Sequence, residues 1–171
     1  LVDYSVNSAL ALLNVAIQNE DYGGVITFSG HVDQRLAASG KSGQIQRIMD
    51  VLYKADANFD EANYEALYSF VFRHIRQRSM LLLFTHFMSS PSLERVLPQL
   101  IQLNHNHLLV VVFFTNTELQ RFREREAADL EEVAAQTMAS TLLEDQIKMA
   151  RMLVQHGIQC IHTRPDQLSA D

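Results

Sequence analysis

An α/β domain, with a mainly parallel sheet covered by helices on both faces, is the fold class that this sequence predicts. Short apolar runs such as residues 80–84 and 108–114 are typical of strands buried on both faces. These runs alternate with segments of helical period, as in α/β folds. At 171 residues, with 47% hydrophobic residues, the chain is long enough for one sizeable core. We therefore expect one domain over residues 1–171, with a Rossmann-like sheet and one antiparallel edge strand.

The first elements are a predicted helix and a hairpin. The helix is apolar almost all round, with Val6, Leu10, Leu13 and Ile17 at helical spacing, so we expect it to be deeply buried. After Gly23 and Gly24, residues 25–28 predict a buried strand. A tight turn at Ser29 and Gly30 leads to a second strand, residues 31–36, which would be the antiparallel edge.

Two helices are predicted between the hairpin and the next strand. A loop rich in serine and glycine, residues 38–43, precedes a short helix with Ile45, Ile48 and Leu52 as apolar positions. Asp60 is the expected cap of the following helix, whose inner face comprises Tyr64, Tyr68, Val71 and Ile75. Positive charge complements the dipole at the end of this helix, and the basic residues there are Arg73, His74, Arg76 and Arg78.

The second half alternates strands and helices. Strand 80–84 leads to Thr85 and His86, and Ser90 before Pro91 predicts the cap of a helix with an interior Pro98. The inward residues of that helix are Leu93, Leu97 and Leu100. Strand 108–114 precedes a charged helical stretch that opens at Asn116 and Thr117. The last helix has Leu143, Ile147, Ala150 and Val154 on one face, Gly157 at its end and strand 158–161 after it.

Composition and charge exclude several classes of function. The net charge of −6 and the pI near 5.6 argue against a dedicated nucleic-acid binder, which carries a basic face. The single Cys160 excludes an internal disulfide framework and any all-cysteine metal site. No apolar run approaches the roughly 20 residues of a spanning helix. We therefore expect a cytoplasmic segment without membrane contact, and the start at Leu1 suggests a piece of a longer protein.

Several segments together resemble the bacterial DUF58 proteins, a branch of the von Willebrand A-like fold. Residues 1–12, LVDYSVNSALAL, are similar to the "LDYALNAALALA" helix of that family. Residues 23–29, 78–85 and 107–112 agree with later segments in order and spacing. The closing stretch 144–168 resembles the family's last helix, strand and "PPEEL"-like end. The resemblance covers nearly the whole chain.

The resemblance implies a central strand that this chain lacks. In the family the first strand carries a DxSxS motif, which builds a metal-ion-dependent adhesion site, and it lies between the counterparts of strands 24–28 and 80–85. Without that strand, two buried strands would have unpaired backbone groups along one edge. We therefore expect the natural protein to contain it just upstream of Leu1.

The metal-binding motif of the family is altered as well. Where the family usually has threonine-aspartate at the end of its fourth strand, this chain has Thr85 and His86. Mg²⁺ prefers carboxylate and water oxygens, so a neutral imidazole is a poor substitute. Glu61 falls near a further ligand position and is a carboxylate. We expect no bound cofactor and no metal ligand, with Mg²⁺ as the alternative.

Ligands of open parallel sheets gather outside the carboxyl ends of the strands. We call the predicted residues of that edge the partner-binding rim, and they are Ser29, Gly30, Glu61, Asn63, Thr85, His86, Thr115 and Asn116. The resemblance implies a protein partner, a MoxR-type AAA+ ATPase, because DUF58 proteins are often associated with such enzymes.

Other possible motifs have plainer interpretations. A Walker loop would need glycine five residues before Gly40, where Arg35 stands, so residues 40–42 predict an exposed turn. His105 and His107 could ligate a metal but lack a third ligand, so a solvated turn is favoured. Cys160 is interpreted as a core residue. The charged run 118–132 predicts a solvated helix face, with a docking surface as the alternative.

Three functions follow from these patterns. The first is a non-catalytic protein–protein interaction module that acts with a MoxR-type ATPase in the assembly or maturation of protein complexes. The alternative is a metal-dependent hydrolase, or a metal-dependent ligand-binding domain, that uses Glu61 and His86. A nucleotide-binding switch is disfavoured by the Walker spacing and the acidic charge.

Overall fold

A computed structural model of the chain describes residues 2–54, 62–115, 117–125, 127 and 129–163. By their contacts the described residues divide into two compact units, one up to Arg76 and one from Gln77 onward, called unit 1 and unit 2 below. The prediction of a single domain stays a prediction.

Unit 1 combines three helices with an antiparallel hairpin. Its elements are α1 (Val2–Gln18), β1 (Gly23–Phe28), β2 (Val32–Ser39), α2 (Gln44–Tyr53) and α3 (Tyr64–His74). The predicted hairpin is confirmed, with Val25 opposite Leu36 and Phe28 opposite Val32. It forms a two-stranded sheet of its own rather than the edge of a larger sheet. The second strand also runs on to Ser39, through part of the predicted loop.

Close backbone packing joins the two strands of the hairpin. A Cβ atom on Gly24 would lie 2.6 Å from the Ala38 nitrogen and 2.7 Å from the Leu36 oxygen. Beside this crossing, the buried Gln44 side chain donates hydrogen bonds to the carbonyls of Gly23 (2.9 Å) and Ala37 (3.0 Å). A residue at the start of α2 therefore ties together both strands.

The predicted deep burial of α1 is wrong for this structure. Ser8 is the buried residue among the described side chains of this helix, and the apolar positions are half-buried or exposed, including Val15 at 52% exposed. A helix that is apolar on every side has no distinct hydrophobic face, so the sequence does not specify which side is buried.

The cap of α3 also differs from the prediction. Asn63 precedes the helix in extended conformation, and its side chain accepts a hydrogen bond from the Ala66 N–H at 2.9 Å. Asp60, the expected cap, lies outside the described residues. Ile75 is the C-cap rather than a residue of the inner face, since the helix ends at His74.

Unit 2 is a three-stranded parallel sheet with helices between its strands. Its elements are β3 (Met80–Phe84), α4 (Ser90–Asn106), β4 (Leu108–Phe114), α5 (Thr117–Glu124), α6 (Leu130–Gln155) and β5 (Gln159–Thr163). The strand order is β3-β4-β5, with Phe84 beside Val112 and Phe114 beside Thr163. The predicted parallel sheet with crossover helices is thereby confirmed for this unit.

The core of unit 2 centres on β4. Every residue of this strand after Leu108 is buried. The α4 side chains Leu93, Leu97, Leu100 and Leu103 are buried too, which confirms the predicted inner face and adds one residue to it. Ring packing continues the core to Phe87, whose ring meets the Phe113 ring edge-on at 5.7 Å.

The Asn104 side chain links three elements at the amino end of the parallel sheet. Asn104 donates to the Gly157 carbonyl at 3.0 Å and accepts from the Leu109 N–H at 3.1 Å. Gly157 has φ of 76° just after the end of α6, as expected for a glycine that terminates a helix. One side chain thus joins the end of α4, the start of β4 and the turn into β5.

Three helix details of unit 2 correct the sequence interpretation. The cap of α4 is Ser89, one residue before the predicted Ser90. Two of the predicted inward residues of the last helix, Ile147 and Val154, are 43% and 61% exposed. The buried positions of α6 are Ala139, Leu143, Gln146, Met149 and Leu153. Leu143 is common to both sets, whereas Gln146, Met149 and Leu153 each precede a predicted inward residue by one position.

The charged run forms two helices instead of one. It begins in α5 and ends in the first turn of α6, where Asp129 caps the helix by accepting from the Glu132 N–H at 2.8 Å. Gln136 donates to the carbonyls of Phe122 and Arg125 and so joins the end of α5 to α6. None of the described helices is long and apolar enough to cross a membrane.

Candidate functional site

Polar residues terminate all three strands of the parallel sheet. Thr85 and His86 follow β3, Thr115 follows β4, and His162 and Thr163 end β5. We call these five residues the carboxyl edge. Backbone hydrogen bonds extend the ladder into it, since the Thr115 N–H donates to the Thr163 carbonyl at 2.9 Å. Such an edge is where parallel sheets place their ligands.

Strand register brings Thr115 and His162 together. His162 lies beside Phe113 in the ladder, so Thr115 is the next residue of β4 on the same face. The Thr115 Oγ1 and His162 Nε2 atoms are 2.9 Å apart, a hydrogen bond in which either atom can donate, depending on the tautomer of the ring. Thr115 is buried and His162 is exposed, so the contact lies at the surface end of the edge.

The surroundings of both imidazoles of the carboxyl edge favour the neutral form. Partial burial lowers the pKa of His86 and of His162 below the ordinary value, because removal from water disfavours the charged form. The edge therefore offers hydroxyl and neutral imidazole groups, which both donate and accept hydrogen bonds.

The loop between β3 and α4 carries an exposed apolar side chain beside this edge. Phe87 is buried and anchors the loop, whereas the next residue, Met88, is 80% exposed. Ser89 caps α4. Because the loop is fixed on both sides of it, Met88 is presented from a defined position.

A carboxylate of α6 holds the start of α4. The Ser90 N–H donates to Asp145 Oδ2 at 2.9 Å, and the Ser90 hydroxyl donates to Asp145 Oδ1. The hydrogen bonds from Ser90 lower the pKa of Asp145 against the opposing effect of desolvation. This carboxylate is therefore a structural group that positions the loop of Met88.

The predicted rim residues of unit 1 form a polar turn. The Asn63 N–H donates to the Ser29 carbonyl at 2.7 Å, and the Ser29 hydroxyl donates to Asp33 at 3.1 Å. Asp33 also contacts His31 at 3.1 Å. Gly30 lies in open space in this turn. The structure thus brings Ser29 and Asn63 together, and both residues form hydrogen bonds within unit 1.

The predicted rim divides between the two units. Ser29, Gly30 and Asn63 belong to unit 1, whereas Thr85, His86 and Thr115 belong to unit 2. Glu61 and Asn116 lie outside the described residues.

Sequence reasoning missed three groups beside the predicted ones: His162, Thr163 and the exposed Met88. The rule that selected Thr85 and Thr115, residues directly after a buried strand, applies to β5 as well. The predicted strand ended at Ile161, so the same rule would have selected His162 and Thr163, but it was not applied to this last strand.

The other candidate groups have structural roles. His107 is buried, not solvated as predicted, and its Nδ1 accepts from the Ser79 N–H at 3.3 Å while burial lowers its pKa. Burial raises the pKa of the half-buried Cys160 to about 11, far from that of a reactive thiolate. Residues 40–42 form the predicted exposed turn.

Among the residues that the structure describes, no group of three or more histidine, cysteine, aspartate or glutamate side chains is arranged to hold a metal ion. Comparisons with family models, with curated proteins and with solved structures gave no match to this chain. The resemblance to the DUF58 proteins therefore stays a prediction from the sequence.

Proposed function

We propose that this chain is a non-catalytic protein–protein interaction module that recognises its partner through the carboxyl edge of the parallel sheet. The observation that carries the proposal is the exposed Met88, 80% accessible, beside an edge of neutral hydrogen-bonding groups. The partner to test is a MoxR-type AAA+ ATPase, with which the chain would assemble or mature other protein complexes.

The chemistry of the edge suits a protein surface. Protein interfaces combine hydrogen-bonding groups with apolar side chains, and methionine is enriched there because its flexible thioether adapts to different partners. Neutral His86 and His162 can pair with backbone amides and carbonyls without the desolvation cost of a buried charge. The buried Thr115 hydroxyl orients the His162 ring through their hydrogen bond.

The choice of partner rests on the resemblance to the DUF58 proteins. The von Willebrand A-like fold of that family places its first strand between the counterparts of β1 and β3. In the part of the chain that the structure describes, β1 pairs with β2 alone and β3 with β4 alone. Each strand thus has one edge with no described partner strand, as this fold would require if its first strand is absent from the chain.

A hydrolase is the alternative, and one contact favours it. A neutral imidazole 2.9 Å from a hydroxyl, as in His162 and Thr115, is the pairing of a general base with a nucleophile. Calorimetric titration with Mg²⁺, Mn²⁺ and Zn²⁺ tests the metal-dependent hydrolase that would use Glu61 and His86, and it does not test this metal-free pair. We expect no heat of binding in the parent chain and a gain of Mg²⁺ binding in His86→Asp, whereas strong binding by the parent chain would favour the metal-dependent hydrolase.

The proposal is tested by calorimetric binding of a purified MoxR-type ATPase from the organism that encodes the chain. We expect Met88→Glu to weaken binding by about tenfold, since it places a charge in an apolar contact. Met138→Glu is the matched control, because Met138 is also exposed, at 70%, but lies on α6. Equal binding by the two variants, or no binding by the parent chain, would contradict the proposal.

A further inference from the structure

A cationic and aromatic surface lies on unit 1, whereas the residues of the carboxyl edge belong to unit 2. It is formed by the second half of α3, the residues that follow it, and one side chain of β2. We call it the α3 face, and its residues are Arg35, Phe70, Phe72, Arg73, His74 and Arg76.

Positive charge is concentrated in this part of an acidic chain. The sequence has no aspartate or glutamate between Glu65 and Glu94, although the net charge is −6. Glu65 is in the first turn of α3, and the helical rise places it about 12 Å from Arg73. Arg73 and Arg76 are exposed and form no ion pair with another described residue.

A stack of side chains fixes one side of the α3 face. The Arg35 guanidinium lies over the Phe70 ring, 5.6 Å from its centroid. The His74 ring stacks on the same phenyl ring at 4.2 Å and 19°, and its Nδ1 lies 2.9 Å from the Phe70 carbonyl oxygen. A guanidinium held on an aromatic ring loses less conformational freedom when it binds an anion.

An exposed phenyl ring forms the other side. Phe72 is 63% exposed, and its ring contacts that of Tyr68 at 6.0 Å. The helical rotation of about 100° per residue places Arg73 between Phe70 and Phe72 on the outer surface of α3. That surface is opposite the buried Tyr64, Leu67 and Val71.

The helix dipole explains only part of this arrangement. Arg73 and His74 are in the last turn, where positive charge stabilises the helix. The dipole does not account for Arg35, which lies on a strand, or for an exposed phenyl ring beside the charges. Clustered arginine and aromatic side chains are typical of the residues that dominate binding energy in protein interfaces.

We infer that the α3 face binds an acidic peptide segment of a partner protein, with an aromatic or aliphatic side chain of that segment against Phe72. Guanidinium groups pair with carboxylates in bidentate geometry, so Arg35 and Arg73 select acidic residues. Asp33, on the same strand as Arg35, is paired with Ser29 and His31. A nucleic acid offers phosphates and bases to the same groups, but it carries a negative charge at every nucleotide, so the net charge of −6 repels it more strongly than a peptide with a few acidic residues.

The test uses the whole chain and three labelled polymers: a random copolymer of glutamate and tyrosine, poly-glutamate, and poly-uridylate. Fluorescence anisotropy should show that the copolymer binds more tightly than the other two and that salt weakens its binding. Arg73→Glu should weaken copolymer binding by about tenfold, and Phe72→Ser should remove the preference for the copolymer over poly-glutamate.

Arg47→Glu is the matched control, since it makes the same charge change at an exposed position of α2. It should weaken copolymer binding by less than about twofold. The inference is wrong if Arg47→Glu has the same effect as Arg73→Glu, if the copolymer fails to bind, or if poly-uridylate binds more tightly. Circular dichroism of each variant checks that the chain remains folded.

Discussion

The two units bury their strands to very different extents. In β4 of unit 2, all six residues after Leu108 are buried, and both faces of the strand are covered. In β1 of unit 1, Gly23 alone is buried and the other five residues are half-buried. The same chain thus contains a strand of the fully covered parallel type and a strand of the half-covered antiparallel type.

The difference shows two ways of holding strands in place. Apolar burial around β4 stabilises unit 2, with each buried leucine or phenylalanine contributing about 2 kcal/mol. Unit 1 relies more on close backbone packing at Gly24 and on the hydrogen bonds of Gln44. The carboxyl edge, where we propose that a partner binds, lies on the unit whose strands have the stronger apolar core.

The largest effect on the free energy of unfolding is expected when a core side chain of unit 2 is shortened. Leu100→Ala removes a side chain with no exposed surface and should lower the free energy of unfolding by about 3 kcal/mol. Leu12→Ala, at a half-buried position of α1, should lower it by about 1 kcal/mol. Urea unfolding followed by circular dichroism measures both, and equal losses would show that the contrast between the units is wrong.

A backbone clash should destabilise the hairpin of unit 1. Gly24→Ala puts a methyl group 2.6 Å from a backbone nitrogen that cannot move freely, so we expect a loss of about 2 kcal/mol. Gly30→Ala, where nothing lies within 4 Å, should change stability by less than about 0.5 kcal/mol. Thermal unfolding of the two variants compares them, and a neutral Gly24→Ala would refute the close approach.

Loss of the Gln44 hydrogen bonds that join the hairpin strands should have the next largest effect on stability. Gln44→Leu keeps the volume but leaves the carbonyls of Gly23 and Ala37 without their donor, at a cost of about 1–2 kcal/mol. Gln46→Leu makes the same change at an exposed position of α2 and should cost little. Hydrogen exchange should quicken in β1 and β2 for Gln44→Leu only. Unchanged exchange there would mean that apolar packing, not Gln44, holds the hairpin.

The smallest effect concerns the carboxylate that holds α4. Asp145→Asn weakens the hydrogen bonds from Ser90 and should cost about 1 kcal/mol or less, since the group is partly exposed to solvent. The pKa of Asp145 is lowered in the folded state, so its contribution is present above the unfolded pKa and is lost as the pH falls through the folded pKa.

The pH dependence of the unfolding free energy therefore distinguishes Asp145 from the neighbouring Glu144. Unfolding free energies measured between neutral pH and about pH 3, below the usual carboxyl range, should fall less steeply for Asp145→Asn than for the parent chain. Glu144→Gln, one residue earlier on α6, is the control and should follow the parent curve. Parallel curves for Asp145→Asn and the parent chain would contradict the role of Asp145.

Strands were predicted better than helix faces. The apolar runs of β3 and β4 stand out because a strand covered on both faces is apolar at every position. For α6 the sequence offers apolar residues around much of the helix, so Ile147 and Val154 were assigned inward although they are exposed. Which of these residues is buried depends on neighbours far away in the sequence.

Only part of the candidate site was predicted, because its other contacts join residues that are far apart in the sequence. Thr85 and Thr115 follow directly from the ends of predicted strands. The contact of Thr115 with His162 spans 47 residues, and that of Ser90 with Asp145 spans 55. Both depend on strand register and helix packing, which no local pattern specifies. The caps Ser89 and Asn63 differ from the predicted ones because neighbouring polar residues have similar capping preferences.

The most direct test of the central claim maps the surface that a partner covers. Amide hydrogen exchange of the chain, alone and with a saturating MoxR-type ATPase, should show slower exchange in the loop 85–90 and at Thr115. The account predicts this protection in unit 2 and its loss in Met88→Glu but not in Met138→Glu. Protection that leaves the loop 85–90 unchanged would contradict recognition through the carboxyl edge.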